Sequence, residues 1–211
     1  YIIVGSTYSY GEENSDVYIV KIDKNGTEKW EKAIGGLDYD AATFALEDIN
    51  QTLVLGNTYS FGEKNSSDIW IISLDSNGTE LWSKTYGGEG YDGARCIRKT
   101  ADGGYIISGE TESYGNGLLD IWILKIRSDG TEIWNKTYGG LKDDTCNDII
   151  ILPDNKYLIA GHTHSFSDSW DAWIICIDSN GTEIWNKTFG GKKDDGASSI
   201  IQVNSTQYII T

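Results

Sequence analysis

The 211-residue chain sets 17 Lys and Arg against 32 Asp and Glu, a net charge of −15. That balance excludes a nucleic-acid binder, which needs a Lys/Arg footprint for the phosphate backbone, and favours cations or basic partners. With 39% hydrophobic residues the chain reads as folded rather than disordered, and no apolar run approaches the roughly 18 residues that span a bilayer as a helix.

One segment recurs four times along the chain. It starts at Asp16 (DVYIVKIDKNGTEKWEKAIGG), Asp68 (DIWIISLDSNGTELWSKTYGG), Asp120 (DIWILKIRSDGTEIWNKTYGG) and Asp171 (DAWIICIDSNGTEIWNKTFGG). Its outer tryptophan falls at Trp30, Trp82, Trp134 and Trp185, giving periods of 52, 52 and 51 residues. A fixed period of this length marks stacked modules, none of which buries its apolar face alone. Residue 1 lies inside a strand pattern and the chain has no methionine, so a segment of a longer precursor is expected.

Each period holds four strand-like stretches. In the second full unit they are Ala94 to Thr100, Tyr105 to Gly109, Ile121 to Ile126 and Thr131 to Tyr138. Turns at Ala101-Asp-Gly-Gly104 and Arg127-Ser-Asp-Gly130 and a loop over 110–119 separate them. The third stretch is apolar on both faces (Ile71-Ile72, Ile123-Leu124, Ile174-Ile175), as in a strand covered on both sides. The fourth mixes charge around its tryptophan, as an outer edge strand does. Asn-Gly or Asp-Gly joins the third to the fourth, a short-range hairpin signal. The outer tryptophan is expected to wedge between modules with its indole N–H on a backbone carbonyl.

These features predict an all-β fold, a β-propeller of four-stranded blades in one domain over 1–211. The blades run over about 1–40, 41–92, 93–144 and 145–195, with a partial blade over 196–211. The chain starts and stops at equivalent second-strand positions, Tyr1-Ile-Ile and Tyr208-Ile-Ile. Either a closed four-bladed ring with one end displaced or an arc of a larger ring results.

The pattern Tyr-Ile-Ile-x-Gly-x-Thr, Asp-x-Trp-Ile-x-Lys-x-Asp-x-x-Gly-Thr and Trp-x-Lys-Thr-Tyr-Gly-Gly-x-x-x-Asp resembles the β-propeller repeat (SBBP type) of secreted bacterial and archaeal proteins. The resemblance covers essentially the whole chain and implies an extracytoplasmic propeller without implying a reaction. The Asp-x-x-Gly-x-x-x-Trp segment is also similar to the tryptophan-docking repeat of quinoprotein propellers, but lacks that family's Thr-Gly-Lys spacing.

Strand connections alternate between the two ends of a blade. The second-to-third and fourth-to-first connections share one end, which carries the loops whose length varies. There Asp40, Asp92, Asp144 and Asp195 each follow a Gly-Gly pair by four residues, and Asp16, Asp68, Asp120 and Asp171 precede the third strand. Rings of carboxylates suit calcium, although an Asp at a fixed loop position more often accepts backbone N–H groups and fixes the turn. His162 and His164, at alternate positions of one strand with Asp168 nearby, form a second candidate metal site. With Phe166 and Trp170 they make this loop the best candidate for a contact special to one blade.

Glycosylation sequons occur at Asn25, Asn50, Asn65, Asn77, Asn135, Asn180, Asn186 and Asn204. All but Asn65 lie away from the variable loops. Cys96, Cys146 and Cys176, odd in number and irregular in spacing, read as buried free thiols. No nucleophile elbow, phosphate-binding glycine loop or His-Glu-x-x-His is present, so neither catalytic residues nor a cofactor other than calcium are expected. The resulting expectation is a structural or adhesive module at the cell surface or outside the cell. It binds a protein or glycan, or a further copy of itself, through its loop face. The alternatives are an extracellular metal-dependent enzyme with its site at the channel mouth, and a subunit of a glycosylated fibre or surface layer.

Overall fold

The computed structural model describes residues 1–11, 14–63, 66–204 and 207–211, and their regular structure is entirely β. The first sheet is β1 (Ile2–Thr7), β2 (Asp16–Ile22) and β3 (Glu28–Ile34). Three four-stranded sheets follow: β4 (Asp40–Glu47) to β7 (Glu80–Tyr86) through β5 (Thr52–Thr58) and β6 (Asp68–Leu74); β8 (Asp92–Lys99) to β11 (Glu132–Tyr138) through β9 (Tyr105–Thr111) and β10 (Asp120–Ile126); and β12 (Asp144–Ile151) to β15 (Glu183–Phe189) through β13 (Tyr157–Thr163) and β14 (Asp171–Ile177). A pair, β16 (Ile200–Asn204) and β17 (Gln207–Ile210), ends the chain. Strands lie in each sheet in chain order, and the registered pairs are antiparallel. These are propeller blades, and the strands expected in the second full unit match β8 to β11 within two residues at every end.

Contacts divide the chain into two compact units, Tyr1–Ala94 and Arg95–Thr211. In the first, Val17 and Ile19 of β2 pack against Val54, Trp70, Ile72 and Leu74 of the next blade. In the second, Leu158, Ala160, Ile174 and Cys176 pack against Ala197 and Ile200. Period-2 strands that are apolar on both faces need such cover on both sides. β6 and β10 are buried at every residue, whereas β3, β7 and β11 are mostly exposed or half-buried, β15 is exposed throughout, and these outer strands carry Lys, Glu, Ser and Asn residues.

The outer hairpins explain the repeated Asp-x-Asn-Gly-Thr. Asp23 Oδ1 accepts the N–H groups of Asn25 (2.9 Å) and Thr27 (3.0 Å), and Gly26 takes the left-handed φ of 81° that closes the turn. Asp75 and Asp178 hold their turns the same way. The outer tryptophan sits over the next blade's turn, as expected. Trp30 Nε1 donates to the Ser76 carbonyl at 3.1 Å, and a Cβ on Gly78 would come within 3.0 Å of its ring. Trp134 covers Gly181 at the same 3.0 Å, while Trp185, in the equivalent place of the fourth blade, is 42% exposed. Trp134→Ala is therefore expected to cost about 3 kcal/mol in urea unfolding, the low end of the range for aromatic truncation. Trp185→Ala should cost less than about 1 kcal/mol. Equal losses would contradict the wedge.

Candidate functional site

The two connections expected at one end of each blade are tied there by backbone bonds. The N–H groups of Asp40, Asp92, Asp144 and Asp195 donate to the carbonyls of Ser15, Ser67, Leu119 and Trp170 at 2.6 to 2.7 Å. Each of these acceptors directly precedes the Asp that opens the third strand of the preceding blade.

The two Asp sets converge on the first glycine of the first three Gly-Gly pairs, whereas Gly190 meets Asp171. A Cβ on Gly35 would lie 2.0 Å from Asp16 Oδ1 and 2.8 Å from Asp40 Oδ2. The corresponding distances are 1.9 and 2.8 Å at Gly87 (Asp68, Asp92), and 1.8 and 2.8 Å at Gly139 (Asp120, Asp144). No side chain fits between the carboxylates, which is why glycine stands there. Oδ2 of Asp40, Asp92, Asp144 and Asp195 accepts the N–H of the second glycine at 2.8 to 2.9 Å. Oδ2 of Asp68 and Asp120 accepts the N–H of Glu63 (2.9 Å) and Asn116 (2.8 Å) in the loop before the third strand. The geometry is that of turn bracing, with a glycine Cα between the carboxylates. Among the described residues no group of three or more His, Cys, Asp and Glu side chains could hold a metal ion. The first three pairs are buried, whereas Asp171 is half-buried and Asp195 exposed.

His162 and His164 meet over one indole. The His162 ring stands edge-on to Trp170 at 4.9 Å and the His164 ring stacks on it at 5.4 Å. His162 Nδ1 lies 3.3 Å from Asn147 Nδ2, which also donates to the Ala197 carbonyl at 2.8 Å. Burial, and then the Arg95 charge, hold the His162 pKa below the ordinary imidazole value. With the Asn147 amide as donor, Nδ1 of the neutral ring is the acceptor. Phe166, 56% exposed, packs instead on Trp173 at 5.2 Å, and Asp168 is also exposed.

Asn25, Asn50, Asn77, Asn135, Asn180, Asn186 and Asn204 are exposed, whereas Asn65 lies outside the described residues, as do the two residues after Asn204. Asn135 and Asn186 have a part in the fold that sequence reading missed. Their Oδ1 atoms accept the indole N–H of Trp122 (3.3 Å) and Trp173 (3.2 Å), and their Nδ2 atoms donate to Glu132 and Glu183. In the first blade Tyr18 bonds to Glu31 at the same two positions. The three thiols are buried and free. Burial pushes Cys96 up to about 11 and Cys146 up to about 12, far from the thiolate a nucleophile needs.

Two polar networks were also missed. Asp148, on the register shift in β12, accepts from Arg98 Nη2 (2.8 Å), Ser199 Oγ (3.0 Å) and the Ile200 N–H (3.1 Å), linking three successive first strands. Glu110, buried in β9, receives both Nε (3.3 Å) and Nη2 (2.6 Å) of the half-exposed Arg95. Aligning the repeats carries the signal: Asp148 stands where the other copies have Phe44, Cys96 and Ser199.

The carboxylate pairs have a pH signature. Burial above all, and then the facing Asp92 or Asp144, pushes Asp68 and Asp120 above the ordinary carboxylate range. A raised folded pKa favours the protonated form, so the stability this gives is complete below about pH 4 and is lost as pH rises through the folded value. The Asp68→Asn, Asp120→Asn variant should therefore gain on the wild type across that rise, as read from unfolding midpoints at successive pH values. A constant difference would contradict the assignment.

A family described as Domain of unknown function (DUF5122) beta-propeller matches residues 152–182, the turn and strands at the centre of the fourth blade. The chain is 23% identical over 199 residues to the Regulatory protein FlaEY of Caulobacter vibrioides, covering 81% of this chain and 21% of that protein. It therefore spans about a fifth of that relative's length. Among solved structures, a protein of unknown function from Bacteroides caccae superposes with a TM-score of 0.56 at 12% identity, over 99% of this chain and 64% of that one. That likeness bears on fold alone. Among the described residues no helix is long and apolar enough to cross a membrane. With antiparallel four-stranded blades recurring along it and a propeller family matching within one of them, the chain is a β-propeller repeat protein.

Proposed function

We propose that this propeller is a non-catalytic binding module of an extracellular or cell-surface protein, and that it contacts a protein or glycan through its loop end. One observation carries the reading. The Asp and Gly-Gly framework recurs along the chain, yet the fourth blade alone among the described residues places two imidazoles on an indole. Where a rigid frame is repeated and one loop departs from it, the departure is the part free to specify a partner. Trp170 and Phe166 supply the low-entropy aromatic area that dominates protein and glycan contacts.

The acidic surface and the exposed sequon asparagines favour placement outside the cell, with glycans away from the loop end. Similarity to a protein named as regulatory accords with action by binding. The test is a panel of immobilised glycans and cell-envelope fractions probed with the purified chain. Retention that falls at least tenfold in Phe166→Ala, Trp170→Ala supports the reading. Retention unchanged by that variant, or turnover of a substrate dependent on His162, contradicts it.

A further inference from the structure

In the first unit an open cleft of about 600 Å³ lies between the first two blades, lined by Ile34, Phe61, Trp70, Glu80, Ser83, Lys84 and Thr85. The repeat shows what fills the same place elsewhere. In the second unit the counterparts are Tyr138, Phe166, Trp173, Glu183, Asn186, Lys187 and Thr188. The aromatic pair is kept, Phe61 on Trp70 at 4.9 Å and Phe166 on Trp173 at 5.2 Å, both tilted. Two positions differ, and both become smaller in the first unit.

Tyr138 is 9% exposed, and its hydroxyl donates to the Gly181 carbonyl of the next blade at 2.5 Å. Ile34 takes its place before Gly-Gly, where the other copies carry Tyr86, Tyr138 and Phe189. Asn186 offers Oδ1 to the Trp173 indole N–H at 3.2 Å and Nδ2 to Glu183 at 2.6 Å. Ser83 is too short for both tasks. Its hydroxyl donates to Glu80 at 2.9 Å, and the Trp70 indole N–H has no acceptor among the described residues. The cleft thus lacks a phenol-sized ring and a carbonyl beside it.

We infer that this cleft between the first and second blades is a binding site for a small neutral aromatic carbonyl compound, whose ring takes the place of a tyrosine and whose oxygen accepts from Trp70. The volume is within the roughly 300 to 1,000 Å³ of ordinary small-molecule sites. Ile34, Phe61 and Trp70 give it an apolar part, and Glu80, Ser83, Lys84 and Thr85 a polar one. Lys84 and Glu80 both line it, so a neutral ligand meets no net charge. The Trp70 indole belongs to the lining of this open cleft, so a ligand carbonyl there can accept from its N–H as Asn186 does from Trp173. The site is independent of the loop-end contact in the fourth blade.

The test is titration of the isotope-labelled chain with para-hydroxybenzamide, following the tryptophan indole N–H signals by NMR. The Trp70 signal, assigned by its loss in Trp70→Phe, should shift and saturate, while that of Trp173, whose site is filled from within, should stay in place. Ile34→Tyr with Ser83→Asn installs the filling of the second unit, and should weaken binding at least tenfold without lowering Tm. If that pair does not fold, Ser83→Asn alone gives Trp70 an internal acceptor and should still weaken binding several-fold. A Trp70 signal unmoved at the ligand's solubility limit, an equal shift at Trp173, or binding untouched by the filling variants would each overturn the inference.

Discussion

The contact on which the blades depend is the grip of two carboxylates on one glycine. One Asp opens the third strand of a blade and the other opens the first strand of the next, so the pair fixes where the chain leaves one sheet and enters another. Burial makes this arrangement demanding, because each carboxylate needs donors: Oδ2 of Asp40, Asp68 and Asp120 finds one in the loop backbone, while Oδ1 of the same three is buried without a partner among the described residues. Gly87 and Gly139 are then obligatory for want of space, with no appeal to unusual backbone angles. Sheet stacking supplies the apolar area, but the bracing decides which residues face each other across it.

Repetition and departure divide the labour. Bracing pairs, hairpin Asp residues and outer tryptophans recur because each junction poses the same packing problem. Where the repeat breaks, local chemistry changes: His162 and His164 gather on Trp170, Asp148 ties three first strands together, and Ile34 and Ser83 leave a cleft that Tyr138 and Asn186 close elsewhere. A module of this kind varies single positions at small cost, since each change is confined to one junction.

The strands, the hairpins and the tryptophan wedge were legible in the sequence because period-2 patterning and turn chemistry are local signals. Trp30 reaching the Ser76 carbonyl followed from the same reasoning. Asn135 and Asn186 were read as sequons, because their bond to an indole on the neighbouring strand depends on a diagonal contact that spacing does not reveal. The Glu110–Arg95 pair joins β8 to β9, and its partners emerge only once those strands are in register. The cleft was hidden for a different reason: it consists of atoms that two distant positions lack.

The central claim is that the paired carboxylates brace a glycine. Its most direct test is a double-mutant cycle in urea unfolding between Gly139→Ala and Asp120→Ala, run with and without calcium. The account predicts that Gly139→Ala alone costs more than about 2 kcal/mol, as a steric clash in a buried site does. Much of that loss should vanish when Asp120 is already alanine, since the clash needs both groups, and calcium should leave the coupling unchanged. Additive losses would contradict the clash, and a coupling that appears only with calcium would show that the carboxylates serve a bound ion rather than the turn.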